Sequence, residues 1–289
     1  MSARGEAGTP LVSGAVVLGA LAFCWLLLWL GPQLAEALVR TLGADNEAAV
    51  ESLFTLVVFG TLMAAALALG AATGINAVAP GERAGRWTVI GFAIGASGVA
   101  TATGYALLAN TLFSGTQAAA PLAMILWGAA VVLVQAAGEE AFFRGWLQPL
   151  LARHWGAAVA VPVAAAMFAA LHLMGGASDP LSLFNLFLGG LLFGTLAAAS
   201  RGIAAPLAAH WAWNGIEQLV VGLDPNPGLG GFGALWDGEL AGSALWGGSA
   251  EGLNASIGMS IALAALLVPL AMLVRPRLRA APAARGQRG

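Results

Sequence analysis

The stretch PLAMILWGAAVVLVQAAGEEAFFRGW, residues 121–146, decides how this chain folds. Residues 121–138 carry no charge, and as a helix rising about 1.5 Å per residue they cross most of a bilayer core about 30 Å thick. The run then ends on two adjacent glutamates, Glu139 and Glu140, and on Arg144. Charge kept at that depth is costly, and a chain that keeps it usually does so for function.

The rest of the chain has the same character. Of its 289 residues 59% are hydrophobic and 9% charged, far from the roughly 25% charged residues of soluble domains. Apolar runs long enough to span recur at about 11–31, 52–73, 87–108, 121–143, 157–174, 181–199, 203–221 and 254–274. The predicted fold is therefore all-α, a polytopic membrane bundle of about eight transmembrane helices. It comprises a short N-terminal segment (1–10), a single membrane domain (11–274) and a basic tail (275–289). The first apolar run reads as a retained span, not a cleaved signal. The alternating hydrophobicity of a β-barrel is absent, as is any internal repeat. Cys24, in the first run, is the single cysteine, which excludes disulfides and thiolate metal clusters. No basic face interleaved with aromatics points to nucleic acid. The expected surroundings are the lipid bilayer, and composition leaves the oligomeric state open.

The loops sort by charge. Arg4, Arg83, Arg86, Arg144, Arg153, Arg201, Arg275, Arg277, Arg279, Arg285 and Arg288 fall on one side of the expected spans. The other side has only Arg40, beside Glu36, Asp45, Glu47, Glu51, Asp179, Asp224, Asp237, Glu239 and Glu251. By the positive-inside rule both termini are expected in the cytoplasm of a cell membrane. The Ala- and Gly-rich, lysine-free composition points to a bacterial host. Residues 222–253, the longest connection, carry Trp236 and Trp246 and are expected at the outer interface.

Three short motifs hold the polar residues: Glu139, Glu140 and Arg144; Phe168 and His172; His210 and Asn214. In each, a pair stands four residues apart, on one face of a helix. Glu140 precedes Arg144 in the favourable order for an intrahelical ion pair. Glu139, rotated about 100° around the helix, is left to face something else. A carboxylate with a cationic neighbour stays ionised in an apolar setting, and one of two adjacent carboxylates can then serve as a base. Glu217 lies on the stripe of Asn214, either supporting it or carrying an outer-interface charge. Gln135 and Asn185 read as helix–helix hydrogen bonds, and His154 as an anchor at a helix end.

Depth imposes a condition. From the cytoplasmic boundary, Glu139 lies about 21 Å in, His172 about 24 Å, and His210 and Asn214 about 12 and 18 Å. The motifs meet only if helix four continues past Arg144 toward Arg153, despite Pro149.

Together the motifs resemble the CPBP family of membrane-embedded CAAX-processing and bacteriocin-processing proteases, also called Abi. Its EExxxR, FxxxH and HxxxN patterns occur here in order over about residues 120–221. The resemblance implies intramembrane endopeptidase activity on a peptide or membrane-protein substrate. It implies Glu139 as the base activating water, His172 orienting that water or the glutamate, and His210 with Asn214 as oxyanion donors. Arg144 would hold Glu140. Zinc is the alternative, held by Glu139, His172 and His210; without an HExxH pair, the metal-free glutamate-and-water reading is preferred and no cofactor is expected.

Three other readings compete. Gly95-Ala96-Ser97-Gly98 fits the GxSG of serine intramembrane proteases, but no later histidine can serve Ser97 as base, so close helix packing is expected there. Buried charge could instead serve a transporter or proton relay. A non-catalytic immunity or scaffold protein could share the fold.

Overall fold

The computed structural model describes residues 9–223 and 230–279. Within them the chain is a helical bundle: α1 Thr9–Leu42, α2 Glu47–Thr73, α3 Ala84–Leu108, α4 Leu122–Trp155, α5 Ala157–Met174, α6 Pro180–Ser200, α7 204–220 and α8 Ile257–Arg279. All but α7 are long and apolar enough to cross a membrane. α7 is α-helical over Ala204–Gly215 and continues as a π-helix over Ile216–Val220. It lies inside the bundle, against α3, α4 and α6, so its polar side chains face protein and not lipid.

Local chemistry sets the ends. The Asn46 side chain accepts the Ala49 amide at 2.8 Å to start α2, and Gly74 ends that helix in the left-handed region. Asp179 caps α6 through the amides of Leu181 and Ser182, and Pro180 occupies the first turn, where its missing N–H is not needed.

Helix α4 meets the depth condition by an unexpected device. It is α-helical over Leu122–Glu140, π-helical over Ala141–Leu147, and α-helical again over Gln148–Trp155. The wider π turn leaves Pro149 in the first turn of a fresh α segment, so the proline does not break the rod. Every residue of the π segment is buried. This corrects one earlier placement: Arg144, grouped with the cytoplasmic arginines, is 2% exposed and sits in the interior.

The two ends of the bundle differ. At one, Arg153 donates to the carbonyls of Thr73 and Gly74 at 2.7 and 2.8 Å, Arg201 pairs with Glu82 at 2.6 Å, and Arg277 reaches the Ala199 carbonyl. At the other, residues 230–256 fold into a cap. Its strand Gly238–Leu240 pairs antiparallel with Leu112–Ser114, Phe232 is buried with Ile125, Val132 and Leu219, and Trp246 stacks on Tyr105. Residues 230–253 of the connection expected at the outer interface are thus packed against the bundle. Arg4, Asp224, Arg285 and Arg288 lie outside the described residues.

The GxSG stretch is a packing surface. A Cβ on Gly95 would stand 2.1 Å from the Ala209 carbonyl oxygen of α7, so only glycine allows this approach. Ser97 is exposed and donates to the Ile94 carbonyl of its own helix.

Candidate active site

The three motifs converge. Glu139 on α4, His172 on α5, and His210 and Asn214 on α7 line one cavity of about 530 Å³. Glu140 and Arg144 stand behind its wall, 0% and 2% exposed. Adjacent glutamates therefore face different surroundings, as their separation around the helix requires.

Glu140 is the anchor. Its Oε1 accepts from Arg144 at 3.0 Å and from His210 Nδ1 at 2.9 Å. Arg144 also donates to the Gly190 carbonyl at 3.3 Å. Its guanidinium lies 4.6 Å from the ring centre of Phe168, 5.5 Å from Phe193 and 5.7 Å from Phe143. The ring faces and the Gly190 carbonyl help the buried Arg144 cation to be tolerated, while Glu140 Oε2 is buried without a hydrogen-bond partner.

His210 bridges the two carboxylates. With Nδ1–H on Glu140, its Nε2 points into the cavity, 3.4 Å from Glu139 Oε2. The imidazole stacks on Phe193, with centroids 4.8 Å apart and planes 19° apart. The ring plane and the Nδ1 partner are both fixed from outside the cavity.

His172 is oriented by its own helix. Nδ1 lies 2.9 Å from the Phe168 carbonyl, which can only accept, so Nδ1 carries the proton. In the neutral ring Nε2 then offers a lone pair. Phe168, 4.5 Å from the His172 ring, meets both that imidazole and Arg144. Asn214 lines the cavity one turn beyond His210.

Among the described residues no three His, Cys, Asp or Glu side chains are grouped closely enough to hold a metal. The conditional zinc set of Glu139, His172 and His210 shares the cavity without forming a ligand cluster. Among the described residues these side chains thus do not form a preformed zinc site.

The other polar residues find places as well. Asn185 ties α6 to α8, donating to the carbonyls of Asn254 and Ser256 and accepting from Ser260, as expected of a helix–helix contact. Gln135 lines the cavity, as Asn185 also does. Glu217 is 3% exposed and lines the cavity too, which removes the outer-interface alternative.

Sequence reading missed Phe193, Gly190 and Gly138. A Cβ on Gly138 would stand 2.5 Å from the Phe59 carbonyl oxygen of α2. A glycine directly before paired glutamates was the available signal for that contact. Phe193 and Gly190 sit in an apolar helix with nothing in the sequence to distinguish them.

Residues 121–216 match the family described as type II CAAX prenyl endopeptidase Rce1-like. The match runs from the start of α4 to the π segment of α7 and contains all three motifs. It agrees with the CPBP/CAAX protease resemblance. No curated protein and no solved structure matches the chain.

Proposed function

We propose that this chain, whose residues 121–216 match the Rce1-like type II CAAX prenyl endopeptidase family, is an intramembrane endopeptidase in which Glu139 activates water. The observation that carries this reading is the shared cavity of Glu139, His172, His210 and Asn214, with Glu140 and Arg144 fixed behind it.

Each residue then has a step. Water sits between Glu139 and His172 Nε2, and Glu139 takes one of its protons while oxygen attacks the peptide carbonyl carbon. The oxyanion accepts from the Asn214 amide and from His210 Nε2–H. In that step His210 carries protons on both nitrogens, with Glu140 Oε1 accepting from Nδ1. Glu139 next passes its proton to the leaving nitrogen. The carbon–nitrogen bond breaks, giving a carboxylic acid and an amine. Removing one such pre-placed donor costs about 10²–10³ in kcat.

The test is cleavage of a quenched fluorescent peptide library by purified protein. Expected are cleavage by the wild type, its loss in His172→Ala, and no response to a chelator. Chelator inhibition reversed by zinc would overturn the water mechanism. A Glu139-dependent proton flux without cleavage would replace it with a proton relay.

A further inference from the structure

The residues lining the cavity reach the turns at one end of the bundle only, and that end carries the negative charge. The cavity floor holds Glu139, Phe143, Phe168 and His210. Its rim is built from Gly176, Ala177 and Ser178 in the α5–α6 turn and from Ala250, Glu251 and Asn254 in the cap. The lining residues on α1 and α2 run from Cys24 to Leu28 and from Phe54 to Leu62. None comes from the turns that carry Arg83, Arg153 or Arg201.

The rim therefore shares its end with Asp45, Glu47, Glu51, Asp179, Asp237 and Glu239, and with Arg40 as the one arginine among the described residues there. The opposite end carries Arg83, Arg86, Arg153, Arg201, Arg275 and Arg277, with Glu82 the one acid among the described residues. Arginine in short loops marks the cytoplasmic side.

From these two observations we infer that the active site is loaded from the non-cytoplasmic side of the membrane. The inference rests on the protease reading above. Its substrate class is an extended peptide, or the outward-facing segment of a membrane protein, with bulky apolar side chains. The wall formed by Leu27, Leu28, Val58, Phe59 and Leu62 takes those side chains. Gln135, Asn185 and Asn214 in the same lining supply polar groups for a peptide backbone. A substrate tail confined to the cytoplasm meets the arginine-bearing end, whose turns contribute nothing to the cavity lining.

The rim can be mapped without any substrate. In a Cys24→Ser background, one cysteine is introduced at the rim (Ala250→Cys, or Ala177→Cys as a second position). Another is placed at the opposite end as Gly85→Cys, where a side chain meets nothing within 4 Å. A membrane-impermeant maleimide added to spheroplasts labels both rim cysteines and leaves Gly85→Cys unlabelled until the membrane is inverted. Labelling of Gly85→Cys from outside, with protection of the rim, overturns the inference. In proteoliposomes whose orientation is mapped by the same reagent, externally added peptide library is cut in proportion to the rim-out fraction. Cleavage in proportion to the rim-in fraction also overturns it. Failure of the protease reading itself has a different signature: rim labelling from outside, with no cleavage in detergent or in either orientation.

Discussion

Glu139 and Glu140 are neighbours in sequence with opposite duties, and the difference is one of environment. Glu140 is fully buried, with Arg144 and His210 on a single oxygen; Glu139 has a cavity in front of it and His210 at 3.4 Å. That division was legible from spacing, because the ion pair at four residues left Glu139 on another face. The bridging role of His210 was not legible, since a link between residues 70 positions apart leaves no local trace. Arg144 tests the arrangement at this scale. Arg144→Ala leaves Glu140 buried without its cation and costs about 3–5 kcal/mol of stability, read as a lowered Tm of the purified protein. Arg144→Lys restores little, because a lysine ammonium cannot reproduce the planar fork against Glu140 and Gly190 while lying over Phe168.

At the scale of elements, α4 carries the site and its shape decides the geometry. The apolar run and the paired charges identified the helix, and the depth argument required it to pass Arg144. The π segment that makes this possible was invisible, because a hydrophobic run that is buried all round shows no periodicity from which a wider turn could be read. A π turn is common at functional sites, and here it follows Glu140 directly. The contact of α4 with α2 gives a sharp prediction. In an exposed helix Gly→Ala would stabilise by about 0.5–1 kcal/mol. At Gly138 the added Cβ would press on the Phe59 carbonyl at 2.5 Å, so Gly138→Ala lowers Tm, with a cost of about 1–3 kcal/mol. A raised Tm would show that α2 yields freely at that point.

For the molecule as a whole, hydropathy and loop charge conveyed a membrane bundle, while the cap over the acidic end and the cavity beneath it emerged only in three dimensions. Glu251 links the two. Its Oε1 accepts from the Ser178 amide at 2.7 Å, the Asp179 amide at 2.8 Å and the Ser178 hydroxyl at 3.0 Å, which pins the rim turn beside His172. Burial works to raise the pKa of this carboxyl, but those amides and the nearby serine hydroxyls outweigh it and hold it below its ordinary value of 4.5. The clamp's contribution is therefore complete at neutral pH and is lost as pH falls through that lowered value. The protection factors of the Ser178 and Asp179 amides are full at neutral pH and fall as pH drops through that lowered value. In Glu251→Gln exchange is faster at neutral pH and has no acid step.

The central claim is that Glu139 does chemistry while Glu140 holds structure. The direct measurement compares peptide cleavage and Tm for Glu139→Gln and Glu140→Gln, purified side by side. Glu139→Gln is predicted to keep the wild-type Tm within about 2–4 °C, as for a change near 1 kcal/mol in a protein of this size, and to lose cleavage by at least about 10²-fold. Glu140→Gln is predicted to lower Tm beyond that range, because Arg144 is left buried without its counter-charge. Wild-type cleavage by a folded Glu139→Gln protein would contradict the account.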